Sequence, residues 1–120
     1  MKRILIVEDD VDMQEIYKSM FAREDQYSID ISGDAQLALK KLKQEKFDMA
    51  ILDIIMEPMS GDSFFVHVRN EVKTKSVPIL VISVLKKDTL NFLETLGNFH
   101  YLQKPITKTA LLDKIRSILK

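Results

Sequence analysis

Five short apolar runs, separated by amphipathic stretches, confine this chain to a narrow set of folds. The runs are ILIV (4–7), YSIDI (27–31), MAILDII (49–55), VPILVIS (77–83) and the weaker FHYLQ (99–103). Three are nearly continuous hydrophobics, which suits strands covered on both faces of a parallel sheet. Between and after them, apolar residues recur at helical spacing. The stripes are Met13, Ile16, Tyr17 and Met20; Ala35, Ala38, Leu39 and Leu42; Phe65, Val68 and Val72; Leu90, Leu93 and Leu96; and Leu111, Leu112, Ile115, Ile118 and Leu119. Asp10 and Thr107 stand where the first and last of these helices need an N-cap. Turn formers fall between the segments, at Gly33-Asp34, Pro58 to Gly61, Pro78, Gly97-Asn98 and Pro105. Strand–helix alternation of this kind predicts a doubly wound α/β sandwich of three layers with right-handed crossovers. Its five parallel strands take the order 2-1-3-4-5, with five helices on the two faces.

At 120 residues, 46% hydrophobic and 30% charged, the chain has the composition of one globular domain, expected to span residues 1–120. Eighteen basic residues balance eighteen acidic ones, so no net field draws it to nucleic acid or to an anionic membrane. The absence of cysteine excludes a disulfide framework and thiolate chemistry. No apolar run approaches the roughly 20 residues of a membrane helix, and the first run is too short for a signal-peptide core. A cytoplasmic location is the resulting expectation. No P-loop and no G-x-G-x-x-G follows any of the runs, which disfavours nucleotide binding.

In a parallel sheet all strands point their C-terminal ends to one edge, where ligands of such folds bind. The residues that end the runs therefore belong together. The first run stops in Glu8, Asp9 and Asp10; the third carries Asp53; the fourth ends at Ser83; the fifth is followed by Lys104 and Pro105. Two carboxylates about 4 Å apart repel by roughly 4 kcal/mol at an effective dielectric near 20, so either the side chains splay into water or something positive sits between them. Glu8, Asp9 and Asp53 are an oxygen-rich set that suits Mg2+, which favours a few carboxylates, waters and a phosphate oxygen. The same set suits phosphoryl transfer. Asp53 is placed to attack phosphorus and become an acyl phosphate, Lys104 to neutralise the phosphoryl oxygens, and Ser83 to donate a hydrogen bond to one of them.

With those residues in view, the chain resembles the receiver domain of two-component response regulators, the family that includes the chemotaxis regulator. The resemblance is carried by ILIVEDD with its Glu8-Asp9 pair, ILDIIM around Asp53, Ser83 thirty positions later, Gly97, and YLQKP with Tyr101, Lys104 and Pro105. It implies a flavodoxin-like fold and Asp53 as the acceptor of a phosphoryl group from a histidine kinase or a His phosphotransfer protein. It also implies a backbone carbonyl of Ile55 as a Mg2+ ligand, a cis Lys104–Pro105 peptide, and Ser83 and Tyr101 as the pair that transmits the signal. The altered surface would be helix 4, strand 5 and helix 5, facing a downstream protein target or effector domain, with homodimerisation through the same surface left open. No direct nucleic-acid contact and no membrane contact are expected, nor enzymatic activity beyond the domain's own phosphorylation and dephosphorylation.

The sequence departs from the family pattern in places. MEPMSG puts Glu57 where the family usually has proline, with Pro58 one position later, and Val84 replaces the usual small residue after Ser83. The positions two beyond Asp53 and two beyond Ser83 are Ile55 and Leu85, neither able to orient an attacking water, so a long-lived phosphoryl group is expected. Leu85, Phe92 and Tyr101 are candidates for an apolar patch on the signalling surface. His67 and His100 lack partners at metal spacing and are taken as structural, and the lysines at 40–46 and 86–87 as solvated helix faces. Two rival functions are a phosphorylation-independent interaction module on the same fold and a Mg2+-dependent aspartyl-phosphate phosphatase. The latter class has its nucleophile in a first-strand Asp-x-Asp and its acid pair late in the chain, the reverse of the order here.

Overall fold

A computed structural model describes residues 1–53 and 60–120 of the chain. The strands are β1 (Lys2–Val7), β2 (Tyr27–Ser32), β3 (Met49–Leu52), β4 (Ile79–Ser83) and β5 (Phe99–Gln103). They form one sheet in the order β2-β1-β3-β4-β5, and every pairing is parallel. The helices are α1 (Val11–Phe21), α2 (Ala35–Gln44), α3 (Gly61–Asn70), α4 (Asn91–Thr95) and α5 (Lys108–Ile118). The doubly wound order expected from the sequence is thus the order found.

Side-chain alternation along the strands builds two cores. Leu5, Val7, Ala50, Leu52, Ile79 and Val81 point to one face, where α2, α3 and α4 cover them with Ala38, Leu42, Phe64, Phe65, Val68 and Leu93. Ile4, Ile6, Met49, Ile51, Leu80 and Ile82 point to the other, under Tyr17 and Phe21 of α1 and Leu111, Leu112 and Ile115 of α5. All the residues of β3 and β4 are buried, as their unbroken hydrophobic runs require. β5 is an edge strand and only partly covered.

Helix starts follow capping chemistry. The Asp10 carboxylate accepts the Asp12 N–H at 3.0 Å, Asp34 accepts those of Gln36 and Leu37 at 2.7 and 3.3 Å, and Thr107 Oγ1 accepts that of Ala110 at 3.1 Å. The turn between α4 and β5 needs left-handed backbone at two successive residues, Gly97 (φ 87°) and Asn98 (φ 51°). Gly and Asn are the residues that tolerate it. Arg69 at the end of α3 pins this turn by donating to the carbonyls of Gly97 and Asn98, both at 3.0 Å.

Three helical expectations are corrected. Ile16, assigned to the buried stripe of α1, is 45% exposed, because the stripe that reaches the sheet runs through Tyr17 and Phe21. Val72 lies beyond the end of α3 and is 82% exposed. The fourth helix is short: Leu90 closes a 3-10 turn (Lys87–Leu90), and Leu96 falls after the last residue of α4. Leu80, fully buried on the interior strand β4, tests the core. Leu80→Ala is expected to cost about 2–5 kcal/mol in urea denaturation with an unchanged slope.

Candidate functional site

The site is laid out by strand register. β1 and β3 run in step, with Val7 opposite Leu52 as their last pair. One residue further along each chain come Glu8 and Asp53, so two carboxylates emerge side by side at the sheet's C-terminal edge. Continuing the strand alternation carries both to the face covered by α1 and α5. Electrostatics agree: burial first, then the charges of Glu8 and Asp53, push the buried Tyr17 phenol of α1 well above its ordinary pKa.

Lys104 arrives from the opposite side of the sheet centre. β4 and β5 end with Ser83 opposite Gln103, and the Lys104 N–H continues the ladder to the Ser83 carbonyl at 2.9 Å. From there its Nζ reaches Asp53 Oδ2 at 2.7 Å, a contact spanning 51 residues of sequence. Lys104 and Asp53 keep only 22% and 12% of their side-chain surface exposed, so the pair is sheltered yet open to a reactant. The peptide between Lys104 and Pro105 is cis, as the resemblance implies.

Glu8 is the most enclosed of the acids, 3% exposed. Its Oε2 accepts the Asp10 N–H at 3.2 Å, while Oε1 is buried and has no hydrogen-bond donor among the described residues. Burial raises its pKa, the Asp10 hydrogen bond and the charge of Lys104 pull it back, and Asp53 and Asp9 push it up again. Asp9 is exposed. Among the described residues no three Asp, Glu, His or Cys side chains stand together as a finished metal shell. The donor set nevertheless fits a hard cation, because a buried carboxylate oxygen without a donor is costly and an oxygen-seeking ion satisfies it. Ile55, Glu57 and Pro58 lie outside the described residues.

Ser83 sits at the end of β4 but has no exposed surface. Its Oγ accepts the Leu85 N–H at 3.2 Å, and the Leu85 carbonyl in turn accepts the Tyr101 hydroxyl. The main chain of Leu85 therefore lies between the two residues expected to transmit a signal, its N–H on one and its carbonyl on the other. Leu85 and Tyr101 are partly buried against the α2–α4 core, whereas Phe92 is 64% exposed. Of the proposed apolar patch, Phe92 alone stands out into solvent. Val84 is 59% exposed and, with Met13, Ile16, Lys104, Pro105 and Ile106, lines a groove of about 410 Å3 beside the ion pair. The sequence gives no sign of this groove, because helical spacing groups Ile16 with Tyr17 without showing that it is left exposed. Nor does it single out Gln14, whose side-chain amide donates to the Glu8 carbonyl at 2.7 Å. A polar residue on a helix carries no signal of such a contact.

Comparison with known proteins agrees with this geometry. The model of the response regulator receiver domain matches residues 4–116, and the chain belongs to that family. Response regulator ArlR of Staphylococcus haemolyticus is 32% identical over 122 residues, covering 100% of this chain and 53% of that protein. The phosphate regulon transcriptional regulatory protein PhoB of Escherichia coli is 25% identical over 121 residues, 99% of this chain and 52% of that protein. The chain thus spans about half the length of these relatives. Among solved structures, the chemotaxis protein CheY4 of Vibrio cholerae superposes with a TM-score of 0.90 at 25% identity, covering 99% of both chains. Response regulator protein TrrA of Thermotoga maritima, solved in complex with Mg2+ and BeF, superposes with a TM-score of 0.85 at 28% identity, over 99% of this chain and 100% of that one. No helix among the described residues is long and apolar enough to cross a membrane.

The raised pKa of Glu8 has a thermodynamic consequence. Between the ordinary carboxylate range and the raised value, the folded chain holds a proton that the unfolded chain has lost. Stability therefore falls as pH rises through that window and stays lower above it. Glu8→Gln keeps an acceptor for the Asp10 N–H and removes the buried charge. With chelator present, the variant is expected to melt above wild type at pH 8, the gap narrowing toward pH 4.

Proposed function

We propose that the chain is a phosphoacceptor switch, taking a phosphoryl group onto Asp53 in a Mg2+-dependent reaction and relaying its presence through Ser83, Leu85 and Tyr101. The observation that carries the reading is the 2.7 Å contact between Lys104 and Asp53, beside the buried, incompletely satisfied carboxylate of Glu8. Glu8, Asp9, Asp53 and the main-chain carbonyl of Ile55 are the groups that would hold the cation. When bound, Mg2+ supplies positive charge to the phosphoryl oxygens.

The chain's own residues do the rest. A carboxylate oxygen of Asp53 attacks phosphorus; the new O–P bond forms as the P–N bond of a phosphohistidine breaks, and the imidazole leaves with the bonding pair and takes up a proton. Lys104 is already within hydrogen-bond reach of Asp53 and follows the charge onto the equatorial oxygens. The groove lined by Met13, Ile16 and Val84 flanks the approach to Asp53, and a protein carrying the phosphohistidine (a sensor histidine kinase or a His phosphotransfer protein) suits its apolar walls.

Phosphorylation replaces one negative charge with about two and adds acceptor oxygens. Ser83 is closed off behind its own loop, so its hydroxyl reaches a phosphoryl oxygen only if the segment from Val84 to Leu85 moves. That movement displaces the carbonyl to which Tyr101 is bonded, and so shifts β5 and α4 together. A downstream protein or effector domain would read this surface, and two copies could pair through it. Neither Ile55 nor Leu85 carries a group that positions water, which favours slow hydrolysis. The chain would turn over no substrate besides its own phosphoryl group and would work in the cytoplasm.

With Mg2+ and labelled acetyl phosphate, wild type is expected to take up one phosphoryl group, Asp53→Asn none, and Lys104→Met at about 10²-fold lower rate. In a parallel measurement, beryllofluoride should shift the amide resonances of Leu85, Tyr101 and α4. A chain that stays unlabelled and unshifted is instead an interaction module that works without phosphorylation.

A further inference from the structure

Glu8 is held through its own main chain, and one side chain outside the acidic set closes the hold. Its N–H donates to the Ser32 carbonyl at 2.9 Å and its carbonyl accepts from Gln14 Nε2 at 2.7 Å. Gln14 is itself fixed in the first turn of α1, where its N–H donates to the Asp10 carbonyl at 2.9 Å. Asp10 returns to the start by donating its N–H to Glu8 Oε2 at 3.2 Å. The result is a closed loop of contacts around residues 8 to 14.

The Glu8 carbonyl belongs to the peptide plane between Glu8 and Asp9, the two acids of the N-terminal pair. Holding that oxygen limits rotation of the plane, and so constrains ψ of Glu8 and φ of Asp9, the torsions that orient the two side chains. Gly33 stands against this contact: a Cβ there would lie 3.2 Å from Gln14 Nε2 and 3.7 Å from the Glu8 carbonyl oxygen. Its φ is not in the left-handed region, so what the missing side chain provides is room for the Gln14 amide.

We propose that Gln14 is a positioning residue for the divalent cation, holding the Glu8–Asp9 peptide so that the buried Glu8 Oε1 is presented at a set point, with Gly33 keeping its amide in place. This rests on the reading of Glu8 and Asp9 as cation ligands. Outer partners orient ligands in the same way at metal sites generally, and their loss weakens binding without touching a ligand. A half-buried polar residue on α1 can carry this role because the connection from β1 to α1 is only three residues long.

Gln14→Met preserves length and helix propensity and removes the donor. Mg2+ affinity of the unphosphorylated chain is read by calorimetry, and melting is followed in chelator. The variant is expected to bind Mg2+ about tenfold more weakly, the low end for outer partners of a metal, while its melting temperature in chelator stays within a few degrees of wild type. Gly33→Ala is expected to weaken binding in the wild-type background and to add nothing in the Gln14→Met background, where no amide remains to be displaced. Unchanged affinity in Gln14→Met overturns the assignment, as does a lowered melting temperature with unchanged affinity, or strict additivity of the two substitutions. If wild type takes up no Mg2+, the cation reading itself falls with it; if wild type binds and only the variants fail to differ, the positioning role alone is lost.

Discussion

The parallel pairing of β1 with β3, in step up to Val7 and Leu52, delivers Glu8 and Asp53 to adjacent points on one edge of the sheet. Two acids so placed repel each other, and one of them, Glu8, is almost wholly buried. The fold meets this demand locally with the Lys104 ammonium on Asp53 and the Asp10 N–H on Glu8. Glu8 Oε1 is left without a donor among the described residues, and burial outweighs every favourable contact in setting the pKa of Glu8. A buried carboxylate oxygen left in this way is costly, and it is the kind of group that a hard cation would satisfy.

The alternation of side chains across the sheet gives the site a division of labour. Glu8 and Asp53 continue the positions that face α1 and α5, which is why the Tyr17 phenol of α1 feels their charges. Ser83 continues Ile79 and Val81, which face the α2–α4 core, and its hydroxyl oxygen accepts the N–H of Leu85, the residue whose carbonyl accepts the Tyr101 hydroxyl. Asp53 and Ser83 thus lie on opposite faces of one sheet, joined across its edge by Lys104, whose backbone N–H bonds to Ser83 and whose ammonium bonds to Asp53. α4, on the Ser83 side, is only five residues long, preceded by a 3-10 turn, and tethered through the Gly97–Asn98 turn to Arg69.

The fold was legible because strand and helix periods differ and because strands buried on both faces read as unbroken hydrophobic runs. β3 and β4 show this most plainly. Legibility was poorer where an element is short or its apolar residues serve a surface. Ile16 fits the period of α1 but lies on the rim of the groove beside Lys104, and Val72 fits that of α3 but comes after its last turn. Periodicity reports which residues share a helix face, and cannot report how far that face is covered.

The sequence alone determined the order of elements, the doubly wound topology, and the set of residues that end the strands on one edge, since each follows from local patterning and from the handedness of strand–helix–strand crossovers. Tertiary structure decided what those residues do to one another. The ion pair between Lys104 and Asp53, the closed position of Ser83 and the clamp of Gln14 on the Glu8 carbonyl join groups 51, 2 and 6 residues apart. None leaves a mark in composition or period, because a hydrogen bond is set by ångström-scale distance and direction, and those exist only once the layers have packed.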